Sequence, residues 1–202
     1  MECIELSLEE LKDTSIEVAK KIILEKKIDL IIYIAKAGFP IAMYMNEVFH
    51  CELLGIVAKR KGNRLKEILG PILSYCPKVI RNGLIKMELK SKVHMHDIER
   101  HVMFEEKIDV DAISKFKTIL IVDDSVDTGN SALAVLNEVK SIFKDSTVLF
   151  YALNVWSQSK SVVSVDYLSF SDTIIKAPMS KDSKEYKKFI EMYQDFIKKR
   201  NI

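Results

Sequence analysis

The fold of this chain is indicated most clearly by residues 119–131, which read Ile119-Leu120-Ile121-Val122-Asp123-Asp124-Ser125-Val126-Asp127-Thr128-Gly129-Asn130-Ser131. A short, continuous apolar run of this kind is typical of a strand buried on both faces of a parallel sheet. Two adjacent carboxylates at its carboxyl end are costly to bury unless they meet cations or hydroxyl donors. We therefore expect Asp123 and Asp124 to face a ligand crevice.

The turn after these acids has the residues that a phosphate needs. Thr128 and Ser131 offer hydroxyl groups, and Gly129 allows the backbone to approach a ligand closely. The N–H groups at the start of the following helix attract anions. Carboxylates for sugar hydroxyls beside a cradle for phosphate match the two ends of a ribose 5-phosphate group.

Helices and strands alternate on both sides of this stretch. The apolar periodicity predicts helices at about 8–27, 40–50 and 131–143, and a last helix with apolar residues at 186, 189, 190, 193 and 197. It predicts strands at about 30–35, 53–58, 118–122 and 147–155, with a short one at 173–175. Residues 64–111, interrupted by glycines and prolines, are expected to be irregular. This order predicts an α/β fold with a mostly parallel sheet flanked by helices.

Two helix starts carry local signals. Ser7 and Glu10 have the spacing of a capping box, and Leu6 and Leu11 have that of a hydrophobic staple. Pro40 is expected at the first position of the second helix, where its missing N–H would have no helical partner.

Composition bounds the class of protein. The chain has 202 residues, 48% hydrophobic and 30% charged, which predicts one domain spanning residues 1–202. A net charge of +2 does not predict nucleic acid as a partner. Cys3, Cys51 and Cys76 form no CxxC pair, so we expect idle thiols in a reducing cytoplasm. No apolar run is long enough to predict a membrane span.

Residues 119–131 resemble the signature of the type I phosphoribosyltransferases that binds 5-phosphoribosyl 1-pyrophosphate (PRPP). The resemblance implies an enzyme that uses Mg²⁺ and transfers the 5-phosphoribosyl group of PRPP to a nitrogen nucleophile, expected to be a nucleobase, with release of pyrophosphate. It also implies a homodimer.

The resemblance assigns roles to the residues of the signature. Asp123 and Asp124 would bind the ribose hydroxyls and Mg²⁺, the metal directly or through water. Asp127 would also handle a proton near the base, as the catalytic residue. The 5-phosphate would be held by the loop of Asp127, Thr128, Gly129, Asn130 and Ser131.

Weaker matches extend the resemblance along the chain. Lys36, Ala37 and Gly38 resemble the family's pyrophosphate loop, and the basic residues Lys59 and Arg60 follow the next predicted strand. The insert at about 61–110 would contain a lid, and residues at about 156–180 would form a small C-terminal hood over the base. The hood would contain Tyr167 and Phe170.

Other interpretations stay open at this point. The acids could be a solvated strand end or a receiver-domain pocket, although a receiver domain would place its acids near the chain start. Trp156 could stack on a base, but aromatic residues near a strand end more often belong to the core. His94, His96 and His101 lack a strong zinc spacing. A noncatalytic PRPP-sensing regulator is the main alternative function, whereas a PRPP synthetase would need two such domains.

Overall fold

The structure is a computed structural model that describes residues 3–60, 100–105 and 115–200, except for the side chains of residues 59, 60, 100 and 101. The chain divides into two compact units. The first comprises Met1–Val57 and Val102–Ile202, and the second comprises Ala58–His101. Every candidate site residue except Lys59 and Arg60 belongs to the first unit. The division at Ala58 lies near the start of the expected insert, and the single-domain organisation stays a prediction.

The described elements alternate as the sequence predicts. The helices are α1 (Leu8–Glu25), α2 (Gly38–Phe49), α3 (Asn130–Ile142) and α4 (Tyr186–Arg200). The strands are β1 (Cys3–Glu5), β2 (Leu30–Ile34), β3 (Glu52–Arg60), β4 (Arg100–Phe104), β5 (Thr118–Val126), β6 (Thr147–Val155), β7 (Tyr167–Ser171) and β8 (Ile174–Lys176). Among these residues, no helix has the length and apolar character that a membrane span requires.

The main sheet has the strand order β4-β3-β2-β5-β6-β7. Strand β2 pairs in parallel with β3 and β5, and β6 pairs in parallel with β5 and β7. Strand β3 therefore lies on one side of β2, and β5, which comes later in the chain, lies on the other side. The direction in which strands are added to the sheet reverses between β2 and β5. Ligands of open parallel sheets bind outside the carboxyl ends of the strands at such a reversal. The predicted α/β class is confirmed.

Both faces of the sheet are covered. Alternate residues of β2 and β5 face opposite sides of the sheet, and residues on both sides are buried. On one face, Ile31, Tyr33, Leu120 and Val122 of these strands form a single cluster with apolar residues of α1, α2 and α4. Helix α3 contacts β5 and β6 and buries Ala132, Val135 and Val139. Burial on both faces explains why these strands read as continuous apolar runs.

The start of α1 has the predicted capping box. Ser7 Oγ accepts a hydrogen bond from Glu10 N–H at 3.2 Å, and Ser7 N–H donates to Glu10 Oε2 at 2.8 Å. Leu6 and Leu11 are both buried, as a hydrophobic staple requires. The reciprocal bonds satisfy two N–H groups that a helix start otherwise leaves without partners.

The position of Pro40 is corrected by the structure. Helix α2 begins at Gly38, so Pro40 is its third residue and not its first. The first four N–H groups of a helix have no intrahelical acceptor, and proline is tolerated throughout this turn.

The list of predicted strands needs a second correction, because the segment expected to form the hood contains β7, which the sequence did not predict. The hood itself stays a prediction. Strand β7 pairs in parallel with β6 at the edge of the main sheet. Strand β8 pairs in parallel with the N-terminal β1 in a separate two-stranded sheet. In β7 apolar and polar residues alternate only over the four residues 168–171, the shortest run that indicates a strand, and β1 has only three residues.

Most of the predicted insert lies outside the described residues. This applies to the lid, to His94 and His96, to Cys76 and to the side chain of His101. Of the other cysteines, Cys3 is exposed and Cys51 is partly buried. Burial raises the pKa of the Cys51 thiol to about 12, which makes it unreactive at neutral pH, as an idle thiol would be.

Candidate active site

The two adjacent acids lie within β5, which extends beyond the predicted 118–122 to Val126. Asp123 pairs with Ala152 of β6, and its side chain is only 7% exposed. Its Oδ1 accepts a hydrogen bond from the N–H of Asp124 at 2.9 Å. The acids therefore lie at the carboxyl end of the central strand, where β5 still pairs with β6 but its pairing with β2 has ended at Val122.

Both carboxyl groups are costly to ionise in this position. Burial, followed by the negative charge of Asp124, raises the pKa of Asp123 well above its ordinary value. Burial also raises the pKa of Asp124. A buried carboxylate pair of this kind gains from a cation or from hydroxyl donors, which would restore the interactions lost with water.

The donor chemistry of the acids suits Mg²⁺, which prefers carboxylate and water oxygens. Within residues 3–60, 100–105 and 115–200, no cluster of three or more His, Cys, Asp or Glu side chains could hold a metal ion. With two carboxylates as protein ligands, water and substrate oxygens would fill most of the octahedral coordination shell of Mg²⁺. Mg²⁺ commonly binds in this way beside phosphates.

The predicted phosphate loop leads directly from β5 into α3. Asp127, Thr128 and Asn130 are exposed, whereas Gly129 is buried. Gly129 has φ 80° and is the N-cap of α3, where no side chain caps the helix. Ser125 Oγ donates a hydrogen bond to Asp127 Oδ1 at 2.6 Å. The loop therefore presents exposed polar side chains at a helix N-terminus, which favours an anion.

Gly129 is required sterically as well as by its backbone conformation. A Cβ atom added there would lie 2.9 Å from Val162 Cβ and 3.3 Å from the carbonyl oxygen of Ser159. Ser159 is fully buried, and its Oγ donates to the Trp156 carbonyl at 2.7 Å. The segment after β6 therefore packs against the loop and limits its movement.

The predicted pyrophosphate loop meets β5 at the acids. A Cβ atom added to Gly38 would lie 2.6 Å from the carbonyl oxygen of Val122 and 3.5 Å from Cα of Asp123. The absence of a side chain at Gly38 therefore lets the start of α2 lie against the acidic strand end. Lys36 is exposed at this loop. The side chains of Lys59 and Arg60 lie outside the description, so their role stays a prediction.

A cavity of about 230 Å³ adjoins these acids. Asp124, Ser125 and Asp127 form its wall on the β5 side. The remaining lining residues come from β6, β8 and the segments next to them, and they are Leu153, Asn154, Trp156, Thr173, Ile174, Ile175, Ala177 and Ser180. Asn154 was not predicted as a site residue, because one amide near a strand end carries no distinctive sequence signal. Trp156 was considered as a residue that could stack on a base, but the core was the favoured interpretation.

Tyr167 and Phe170, the residues predicted for the hood, do not line this cavity. Both lie in β7, where Tyr167 pairs with Tyr151 and Phe170 pairs with Asn154 of β6. The Tyr167 hydroxyl donates to Glu25 of α1 at 3.2 Å, and Phe170 packs against the main hydrophobic cluster. The structure therefore places them at the sheet edge, and their role in binding the base stays a prediction.

The comparison with protein families decides the class. The profile of the phosphoribosyl transferase domain matches residues 7–143, which include the acids, the phosphate loop and the Lys36–Gly38 segment. The chain belongs to this family. As a phosphoribosyltransferase, it has the family signature on the strand that occupies the centre of its sheet.

Solved structures agree with this fold. The phosphoribosyltransferase is similar to a purine phosphoribosyltransferase from Pyrococcus horikoshii, at 18% identity and a TM-score of 0.61, covering 91% of this chain and 97% of that one. It is also similar to the xanthine-guanine-hypoxanthine phosphoribosyltransferase of Helicobacter pylori, at 17% identity and a TM-score of 0.63, covering 92% and 99%. No curated protein sequence matches the chain. At these identities the likeness concerns the fold.

Proposed function

We propose that this phosphoribosyltransferase transfers the 5-phosphoribosyl group of PRPP to a ring nitrogen of a nucleobase and releases pyrophosphate. The observation that carries the proposal is the convergence of two loops on one buried acidic strand end. The phosphate loop follows Asp123 and Asp124 in the chain, and Gly38 brings the Lys36 loop against the same strand. PRPP has phosphate groups on both sides of its ribose, so a site for it needs this arrangement.

The roles that we propose for the residues are those that the family resemblance implies. Asp123 and Asp124 accept hydrogen bonds from the ribose hydroxyls. The 5-phosphate binds to the loop of Asp127, Thr128, Gly129, Asn130 and Ser131. The pyrophosphate binds to Lys36, Ala37 and Gly38, with Lys59 and Arg60 as further predicted contacts.

The reaction breaks the bond between the anomeric carbon and the pyrophosphate oxygen and forms a bond from that carbon to the base nitrogen. Asp127 lines the cavity beside the acids and accepts the proton that the base nitrogen loses. The sugar becomes positively charged as the bond to pyrophosphate breaks, and the carboxylates of Asp123 and Asp124 stabilise that charge. Holding both ends of PRPP keeps the anomeric carbon facing the base.

Asp123 and Asp124 are also the residues that would hold Mg²⁺. Bound Mg²⁺ would neutralise the negative charge on the departing pyrophosphate. It would also offset the repulsion between the two acids and the phosphates of the substrate.

The acceptor base is assigned to the cavity next to Asp127. Trp156 provides an aromatic surface there, and Leu153, Ile174 and Ile175 provide apolar walls. A nucleobase has flat apolar faces and polar edges, which fit apolar walls that end in polar groups. Two further predictions are part of the proposal: a homodimer, from the family resemblance, and a cytoplasmic location, from the scattered cysteines.

The test is pyrophosphate release from PRPP with adenine, guanine, hypoxanthine, xanthine, uracil and orotate. We expect turnover with at least one base in the presence of Mg²⁺ and none with EDTA. Asp127→Asn serves as the matched control, because it removes the proton acceptor and keeps the shape of the side chain. Binding of PRPP without turnover of any base would contradict transfer and would favour the noncatalytic PRPP sensor.

A further inference from the structure

Asn154 has a position in the cavity that its packing alone does not explain. It lies near the end of β6, opposite Ser125 of β5, and its side chain is 4% exposed. It lines the same cavity as Asp124 and Asp127. An amide buried this deeply is expected to have its polar atoms hydrogen-bonded.

Only half of this amide has a partner. Asn154 Nδ2 donates to the carbonyl oxygen of Thr173 at 2.8 Å. A carbonyl oxygen can only accept a hydrogen bond, so this contact assigns the orientation of the amide. Oδ1 is then the second atom, and it is a buried side-chain atom without a hydrogen-bond partner among the described residues. A buried acceptor without a donor is unfavourable, and a ligand N–H would relieve it.

The two acids of the cavity point to the same chemistry. Asp124 and Asp127 contribute carboxylates, and no Lys or Arg belongs to the lining formed by the described residues. Carboxylate and amide oxygens accept hydrogen bonds, and a ligand that fits them has to supply the donors. A nucleobase supplies such donors as ring N–H and amino groups.

We propose that Asn154 Oδ1 accepts a hydrogen bond from a ring N–H or an amino group of the acceptor base and thereby selects bases that carry this donor. The proposal rests on the proposed transfer to a nucleobase and adds the residue that determines specificity. A site built around such a bond discriminates strongly against an analogue that lacks the donor, because the buried acceptor is then left unpaired.

The experiment compares each active base with an analogue that lacks the donor. Unsubstituted purine is the analogue for adenine, guanine and hypoxanthine, since its six-membered ring carries neither N–H nor amino group; 3-methyluracil serves for uracil. The ratio of kcat/KM for the base to kcat/KM for its analogue is measured in the wild type and in Asn154→Leu. We expect the ratio to fall by about 10-fold to 100-fold in the variant, with the KM for PRPP unchanged.

Two further variants separate specificity from general damage. Ile175→Val alters the same cavity but removes no polar group. It should therefore change kcat/KM for the base and for its analogue by the same factor and leave their ratio unchanged. Asn154→Asp retains an acceptor oxygen, so it should keep more of the preference for the base over its analogue than Asn154→Leu does. If the leucine variant fails to fold, the ratio in Asn154→Asp is compared with the wild type instead.

The outcomes distinguish this proposal from the function on which it rests. An unchanged ratio in Asn154→Leu, or the same loss of preference in Ile175→Val, would overturn the role of Asn154 and leave the transferase activity intact. If the wild type binds PRPP but turns over no base, the transfer reaction itself is wrong, and the role of Asn154 falls with it.

Discussion

The ammonium group of Lys36 lies 5.5 Å from the centroid of the Tyr193 ring. Tyr193 belongs to α4 and is only 5% exposed. Its hydroxyl donates to one carboxylate oxygen of Glu105, and the Tyr33 hydroxyl donates to the other at 3.1 Å. Helix α4 lies outside the residues 7–143 that match the family profile, and yet it provides the surface against which the predicted pyrophosphate lysine rests.

The contact predicts that Tyr193→Leu weakens PRPP binding. A cation–π contact at an exposed site contributes about 0.5–1 kcal/mol, so the loss should be roughly 2-fold to 5-fold in Kd. Tyr193→Phe keeps the ring and should keep the affinity, although it loses the hydrogen bond to Glu105. Calorimetric titration with PRPP and with ribose 5-phosphate provides the measurement.

Only PRPP contains pyrophosphate, and ribose 5-phosphate should therefore bind Tyr193→Leu and the wild type equally. Phe189→Leu is the control for lost packing, because Phe189 is buried in the same helix and neighbours Tyr193. Equal weakening of both ligands in Tyr193→Leu would show that the residue has only a structural role.

Gly129→Ala should damage both stability and PRPP binding. The φ of 80° is unfavourable for alanine, and the added Cβ would lie 2.9 Å from Val162 Cβ. We expect a loss of about 1–3 kcal/mol in the free energy of unfolding, together with weaker PRPP binding. Denaturant unfolding and PRPP titration measure the two effects. Asn130→Ala, at the exposed neighbour, should lower the affinity with little change in stability, and a stable Gly129→Ala protein would contradict the strain.

The three acids should give separate phenotypes. Asp123→Asn and Asp124→Asn each remove a charged acceptor for ribose and should weaken PRPP binding by about 1–3 kcal/mol. Asp127→Asn should leave PRPP affinity nearly intact and lower turnover by about 100-fold or more where proton transfer limits the rate. PRPP titration beside turnover on the active base distinguishes them. Loss of PRPP binding in Asp127→Asn alone would show that ribose and base are wrongly placed.

The raised pKa of Asp123 predicts an unusual pH dependence of stability. A carboxyl group whose pKa is raised by folding binds more protons in the folded state than in the unfolded chain. The free energy of unfolding therefore falls as the pH rises above the ordinary aspartate value of about 3.9, up to the raised pKa. Asp123→Asn should thus raise the Tm of the ligand-free protein at pH 7, by roughly 2–4 °C for each kcal/mol gained.

This stabilisation should shrink as the pH is lowered toward 4, because protonated aspartic acid and asparagine are both uncharged. Thermal unfolding of both proteins across this range measures it. Asp127→Asn, which replaces an exposed acid, is the control and should show little gain. A lower Tm for Asp123→Asn at pH 7 would contradict the cost assigned to the buried charge.

The local features of the fold could be predicted from the sequence because their causes lie within a few neighbouring residues. Residues 119–131 contain the apolar strand, the acids and the glycine turn in one continuous segment, and the structure has β5, the loop and α3 there. The capping box of Ser7 and Glu10 is local in the same sense. Strand β7 was missed because its alternation of apolar and polar residues covers only four positions; its pairing with β6 is a contact that the local sequence does not show.

The sequence by itself determined the α/β class, the acidic strand end and the turn suited to phosphate. The tertiary structure decided which distant residues complete the site: Asn154 and Trp156 of the cavity, Tyr193 beside Lys36, and the exclusion of Tyr167 from the cavity lining. Apolar periodicity reports which side of an element is buried, but it carries no information on the partner that buries it. The pairing of β5 with β6 and the packing of α4 on α2 come from the folded chain as a whole, and they bring these residues together.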